Sequence, residues 1–142
     1  MNRNARLVRS VWIAAALALA LAFPSVGCGG AADDATPEDV RAAAEAHLRT
    51  SGGQMTFDDP NGGDPLVLAF DRVHEGVEAT EGGRHVVCVD FKSADDTVYD
   101  VDFYVDRAEA SGELLLEDAV IHKVGGSNVL SEARRAELDR EQ

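Results

Sequence analysis

Two histidines, three aspartates and one cysteine fall where their chemistry could combine: His74, Asp90, Asp100, His122, Cys88 and Asp102. They lie in segments where apolar and polar residues alternate, the two-residue period of β-strands. Directly opposed residues on antiparallel strands share a face, and apolar partners should match apolar partners. Pairing Phe91 with Tyr99, Val89 with Val101 and Val87 with Phe103 brings Asp90 opposite Asp100, and Cys88 opposite Asp102. Pairing Val77 with Val87 and Val73 with Phe91 places His74 opposite Asp90. Pairing Ile121 with Val101 places His122 opposite Asp100. The expected result is a row across four strands, His74–Asp90–Asp100–His122, with Cys88 and Asp102 one step along. Adjacent strands are about 4.8 Å apart, so neighbours in the row can touch.

Imidazole nitrogen, carboxylate oxygen and thiolate are all ligands for a divalent metal such as zinc. An Asp–His pair can also orient an imidazole for acid–base catalysis. The same row can equally be the wet face of the sheet, each histidine bonded to its neighbouring aspartate. Two facing carboxylates repel and need compensation: a protonated histidine, a shared proton, a bound cation, or the nearby Arg72 and Lys92. A thiolate at Cys88 is disfavoured beside carboxylates unless a metal is bound. The sequence has no His-Glu-x-x-His, no Gly-rich phosphate loop before a helix and no nucleophile–base motif, so binding is favoured over catalysis. The carboxylates of Asp58, Asp59 and Asp64 do not have calcium-loop spacing.

The elements that must position these residues start with a helix. Thr36 can cap it, Pro37 suits its first position, and Glu38 and Asp39 suit its positive end. Val40, Ala43, Ala44, His47 and Leu48 form one face, and Gly52-Gly53 ends it. Strands follow over 54–58, 66–80, 84–92, 98–106 and 113–123, with turns at Glu81-Gly82-Gly83 and 93–97. The apolar phase of the long strand changes near Asp71-Arg72, which predicts a bulge. Phe70, Phe91, Tyr99, Phe103 and Tyr104 read as core and cross-strand pairs. Residues 131–140 suggest a short, polar, frayed helix. The expected fold is α+β: one N-terminal helix packed on a curved antiparallel meander sheet of four to five strands. This element order over residues 36–124 resembles cystatin-like and nuclear-transport-factor-like domains, a fold that hosts enzymes, binders and inhibitors. The glutamine-containing inhibitory loop of the cystatins is absent.

The first residues read as an address. Arg3, Arg6 and Arg9 precede a thirteen-residue apolar run, Val11 to Phe23. As a helix that run spans about 20 Å, too short for a bilayer core of roughly 30 Å. A basic start and a short apolar run are the secretory pattern. The run ends in Val26-Gly27-Cys28-Gly29, which resembles the lipobox of bacterial lipoproteins, with Ser25 in place of the usual leucine. The resemblance implies cleavage before Cys28 and acylation of that cysteine. The expected organisation is a signal peptide over 1–27, a lipid-anchored tether over 28–35, an α+β domain over 36–126, and a polar tail or short helix over 127–142. The expected location is the bacterial cell envelope, facing the periplasm. Gly29 follows the cysteine in place of the aspartate tied to inner-membrane retention, which leans toward the outer membrane.

The 142 residues include 13 Lys and Arg against 26 Asp and Glu, a formal charge of −13. Residues 1–27 hold three arginines and no acid, so residues 28–142 carry −16. Such a chain is a poor partner for nucleic acid, whose phosphates require clustered cations. Its expected partners are the membrane, through the lipid, and a protein or small ligand. Cys28 and Cys88 are too few for a disulfide scaffold.

Overall fold

The computed structural model describes residues 35–141; the expected signal peptide, Cys28 and the rest of the tether before Ala35 lie outside the described residues. Helix α1 spans Pro37–Thr50. Thr36 and Asp39 close a reciprocal capping box at its start, which satisfies two backbone donors that the helix leaves open. Val40, Ala44 and Leu48 form its buried stripe. His47 stays exposed, with its ring 6.4 Å from that of Phe103. Gly52 and Gly53 both take positive φ, 71° and 74°, where a side chain would be strained, and turn the chain into the sheet.

Six strands follow in meander order: β1 (Gln54–Phe57), β2 (Leu66–Ala79), β3 (His85–Lys92), β4 (Val98–Arg107), β5 (Leu114–Val124) and β6 (Ser127–Asn128). Each pairs antiparallel with the next. A second helix, α2, spans Glu132–Leu138 and is capped by Ser131. The α+β class and the antiparallel meander are as the sequence implies. The strands number six instead of four or five, and the short helix suggested over 131–140 forms at Glu132–Leu138 as a second helix on the sheet.

The sheet curls around α1, which packs against β2, β3, β4 and β5. Leu68, Val87, Val89, Phe91, Val101, Phe103, Val105 and Ile121 meet Val40, Ala44 and Leu48 in the main core. Phe91 is its centre, with Phe57 at 5.1 Å, Phe103 at 6.0 Å and Phe70 at 6.3 Å between ring centroids.

The opposite face of the sheet is not simply wet. Val86, Tyr104 and Leu138 form a second buried cluster, with Val120 and Leu130 against it. Helix α2 is therefore not a frayed polar appendage: Leu138 is wholly buried. Gly82 N–H donates to the Asp139 carbonyl, and the Arg84 guanidinium donates to the Leu138 carbonyl while stacking on the Tyr104 ring. With a helix on each face, β3 and β4 are buried on both sides.

Candidate functional site

The β3–β4 register is the one the apolar pattern requires: Asp90 faces Asp100 and Cys88 faces Asp102. The flanking registers slip. In β2, Val77 opposes Val87 as expected, but irregularities between Phe70 and Arg72 and between Val73 and Val77 bring Val73 opposite Val89. Arg72, not His74, then opposes Asp90. In β5, Ile121 opposes Val101 as expected, but a bulge makes Lys123, not His122, the partner of Asp100. Each slip adds residues to one strand without a counterpart on the other, which no fixed pairing can foresee. The single row expected from sequence becomes two clusters.

The first cluster is a compensated ion group. Arg72 Nε donates to Asp90 Oδ2 at 2.6 Å, and His74 Nε2 lies 2.9 Å from Asp90 Oδ1. Burial works to raise the Asp90 carboxyl, but the bonds from Arg72 and His74 outweigh it and hold it below the ordinary carboxylate value. Lys123 Nζ sits 3.6 Å from Asp100 Oδ2. Arg72 therefore acts as anticipated, whereas Lys92 turns to Asp71 at 3.0 Å. Cations already answer the repulsion between the two facing carboxylates.

The second cluster is a different object. Asp102 has no exposed surface. Its Oδ1 accepts from Cys88 Sγ at 3.1 Å and lies 2.9 Å from His122 Nδ1. Its Oδ2 accepts from Arg135 Nη1 at 2.9 Å. His122 is nine-tenths buried. Its Nδ1 is buried and faces the Asp102 carboxylate. One ligand atom each from Cys88, Asp102 and His122 lies within 4.8 Å of the others. A pocket of about 310 Å³ opens beside them, lined by His74, Glu78, Cys88, His122, Lys123 and Arg135 among others.

The electrostatics of this cluster follow from its contacts. Burial, then the hydrogen bond to Asp102 and that residue's charge, push the Cys88 thiol up to about 12. Burial also opposes ionisation of Asp102, but contacts with His122, Cys88 and Arg135 prevail and its carboxyl stays below the usual range. Asp102 lies between thiol and imidazole, so Cys88 is not paired with a histidine that could take its proton. A histidine that takes the proton directly is one common way to activate a nucleophilic thiol. The arrangement instead offers a sulfur, an oxygen and a nitrogen converging on one point, while Arg135 holds the far oxygen of the carboxylate and fixes its orientation.

Arg135 was not among the residues the spacing selected. Its signal was indirect: Val86, Tyr104 and Val120 are apolar residues on a face otherwise read as wet, and something had to cover them. Comparison with protein-family models, with curated proteins and with solved structures finds no match for this chain.

Proposed function

We propose that this chain is a lipid-anchored protein of the bacterial cell envelope whose domain is a non-catalytic binding module. Its ligand is a divalent transition metal of the zinc class. The lipobox-like segment ending at Cys28 supports the anchor. The observation that carries the binding reading is the convergence of one ligand atom each from Cys88, Asp102 and His122 within 4.8 Å of one another, two of the three residues being buried.

A tetrahedral zinc with nitrogen and oxygen ligands near 2.1 Å and sulfur near 2.3 Å needs ligand atoms roughly 3.3–3.8 Å apart. The contacts of 2.9 and 3.1 Å around Asp102 Oδ1 must each open by about half an ångström to meet it. Thiolate and carboxylate together neutralise the dication, and the pocket beside Cys88 and His122 leaves room for a fourth ligand. A metal makes the otherwise disfavoured thiolate stable by binding it.

The test uses protein stripped with chelator and titrated with zinc or cobalt. A ligand that binds only the folded state stabilises it by about 2.7 kcal/mol at a hundred times its Kd, so melting should rise. Cobalt should show the charge-transfer band of a thiolate ligand. Cys88→Ser and His122→Ala should each weaken binding at least tenfold, while His74→Ala should not. A melting curve indifferent to zinc, cobalt and copper would remove the metal reading. The anchor is tested separately, since Cys28→Ala should abolish acylation and release the protein from membranes.

A further inference from the structure

We propose that the gap between β1 and β5 is a docking slot for an extended, cationic peptide segment of a partner protein, taken up as an additional strand. This goes beyond the metal reading and uses none of its residues as ligands.

The sheet is open, with β1 at one edge, and it curls until that edge and the outer side of β5 line the same cavity of about 590 Å³. Met55, Thr56 and Phe57 form one wall, and Asp118 to Ile121 form the other. In an antiparallel ladder, alternate residues bond to a given neighbour and those between point their N–H and C=O the other way. Phe70 N–H donates to the Gly53 carbonyl, so Met55 and Phe57 bond towards β2, while Gln54 and Thr56 direct their polar groups into the gap. On β5, Ala119 N–H is turned away from β4, because it is taken by the Asp118 side chain at 2.8 Å. The β1 wall of the gap thus presents backbone groups arranged to receive a strand, and the β5 wall faces it with the Asp118 carboxylate.

The chain itself starts such a strand. The two residues of β6 pair antiparallel with Lys123 and Val124 at the top of β5. The Val129 and Leu130 N–H groups both converge on the His122 carbonyl, and the chain then departs into α2. Beyond that point Ala119 and Ile121 line the cavity together with Val129 and Leu130. A guest strand continues the line and direction of β6. It runs antiparallel to β1, to whose open edge it bonds, and lies alongside β5. Such pairing removes the exposed edges of an open sheet.

Charge selects the guest. Asp58, Asp59 and Asp118 stand on the rim. Arg134, the cation there, is held by Glu137 at 2.9 Å and faces Glu141 at 3.7 Å. Lysine or arginine at alternate positions of an extended segment would meet these carboxylates.

The test selects random heptapeptides displayed on phage against the full chain, as its host processes it, and in parallel against Thr56→Pro. Proline there removes an outward N–H and leaves the β1–β2 bonds in place. The expected result is enrichment of Val-, Ile- and Thr-rich peptides with Lys or Arg at alternate positions. They should bind at least tenfold more weakly to Thr56→Pro and slow amide exchange over residues 54–57 and 118–121. If Thr56→Pro fails to fold, the double variant Asp59→Lys with Asp118→Lys makes the same comparison, again with at least a tenfold loss. Enrichment that is no better than on the variants, acidic winners, or protection elsewhere on the chain would overturn the proposal. So would a dimer of this chain that forms through the β1 edge.

Discussion

Arg135 Nη1 lies 2.9 Å from Asp102 Oδ2, so a helix near the C-terminus supplies the counter-charge for a carboxylate sealed inside the sheet. Without that contact Asp102 would be a charge on a fully buried strand position, a costly arrangement. With it, the same carboxylate has one oxygen fixed and the other free to face Cys88 and His122. The contact links α2 to the candidate site through both geometry and charge.

Arg135→Ala should therefore destabilise the domain. Removing one partner of a wholly buried pair costs roughly 3–5 kcal/mol. The Arg135 side chain is 37% exposed, so water can replace part of its contribution. We expect about 1–3 kcal/mol, read from urea denaturation midpoints. Leu138→Ala, which empties a fully buried position beneath the same helix, should cost about 2–4 kcal/mol.

Cys88 in chelator-treated protein should be a slow thiol. Its value near 12 leaves very little thiolate at pH 8, so iodoacetamide should label it far more slowly than a free cysteine. Asp102→Asn removes a negative charge that disfavours the thiolate and should speed labelling. Equal rates in both proteins would show that burial alone protects the sulfur.

Much of this fold was legible because apolar residues alternate along strands. Val87, Val89 and Phe91 opposite Phe103, Val101 and Tyr99 admit one register that buries both sets, and that register is found. The phase change near Asp71-Arg72 correctly marks a bulge. The irregularity between Val73 and Val77 and the bulge at His122 carry no comparable signal. Their extra residues sit in polar stretches where shifting the pairing costs no apolar contact, so the pattern is silent there. Those two slips moved His74 and His122 out of a common row and gave His122 to Asp102. The role of α2 was hidden for a related reason. Seven residues with a single buried leucine have too little amphipathic pattern to reveal which surface they cover.

The start of α1 should loosen in acid. Hydrogen bonds from the Thr36 hydroxyl and backbone hold the Asp39 carboxyl below its ordinary value. A depressed folded value means that its contribution is fully present above the unfolded value, about 3.9, and is lost as pH falls through the lower folded value. Amide exchange over the first turn should accelerate across that window. Thr36→Ala should flatten the dependence, and an unchanged profile in that variant would show that Asp39 is not the group responsible.

Asp96 is the one non-glycine residue with positive φ among the described residues, at 63°, in the turn between β3 and β4. The Asp96 N–H donates to the Ser93 carbonyl at 3.1 Å, the pattern of a hairpin turn whose left-handed position favours glycine. Aspartate tolerates this conformation better than most residues but still pays for it. Asp96→Gly should stabilise the domain by about 0.5 kcal/mol, since glycine's larger unfolded entropy offsets part of the relief. A loss of stability would show that the aspartate side chain contributes more than its backbone costs.

Gly82 tests the link between the C-terminal segment and the site from the other end. Its N–H bonds the Asp139 carbonyl at 2.8 Å, and a Cβ placed there would run into the backbone carbonyl of Glu141. The obstacle is main chain, so a rotamer change cannot relieve it; the segment after α2 must move. Gly82→Ala should therefore destabilise by about 1–3 kcal/mol, the usual range for overpacking. It should also draw Arg135 away from Asp102, because the helix moves as a unit. The two effects separate in measurement. Denaturation reports the first, and zinc affinity in protein that remains folded reports the second. If affinity is unchanged while stability falls, Arg135 serves the packing of α2 alone, and the carboxylate needs no support from the helix to hold its ligand.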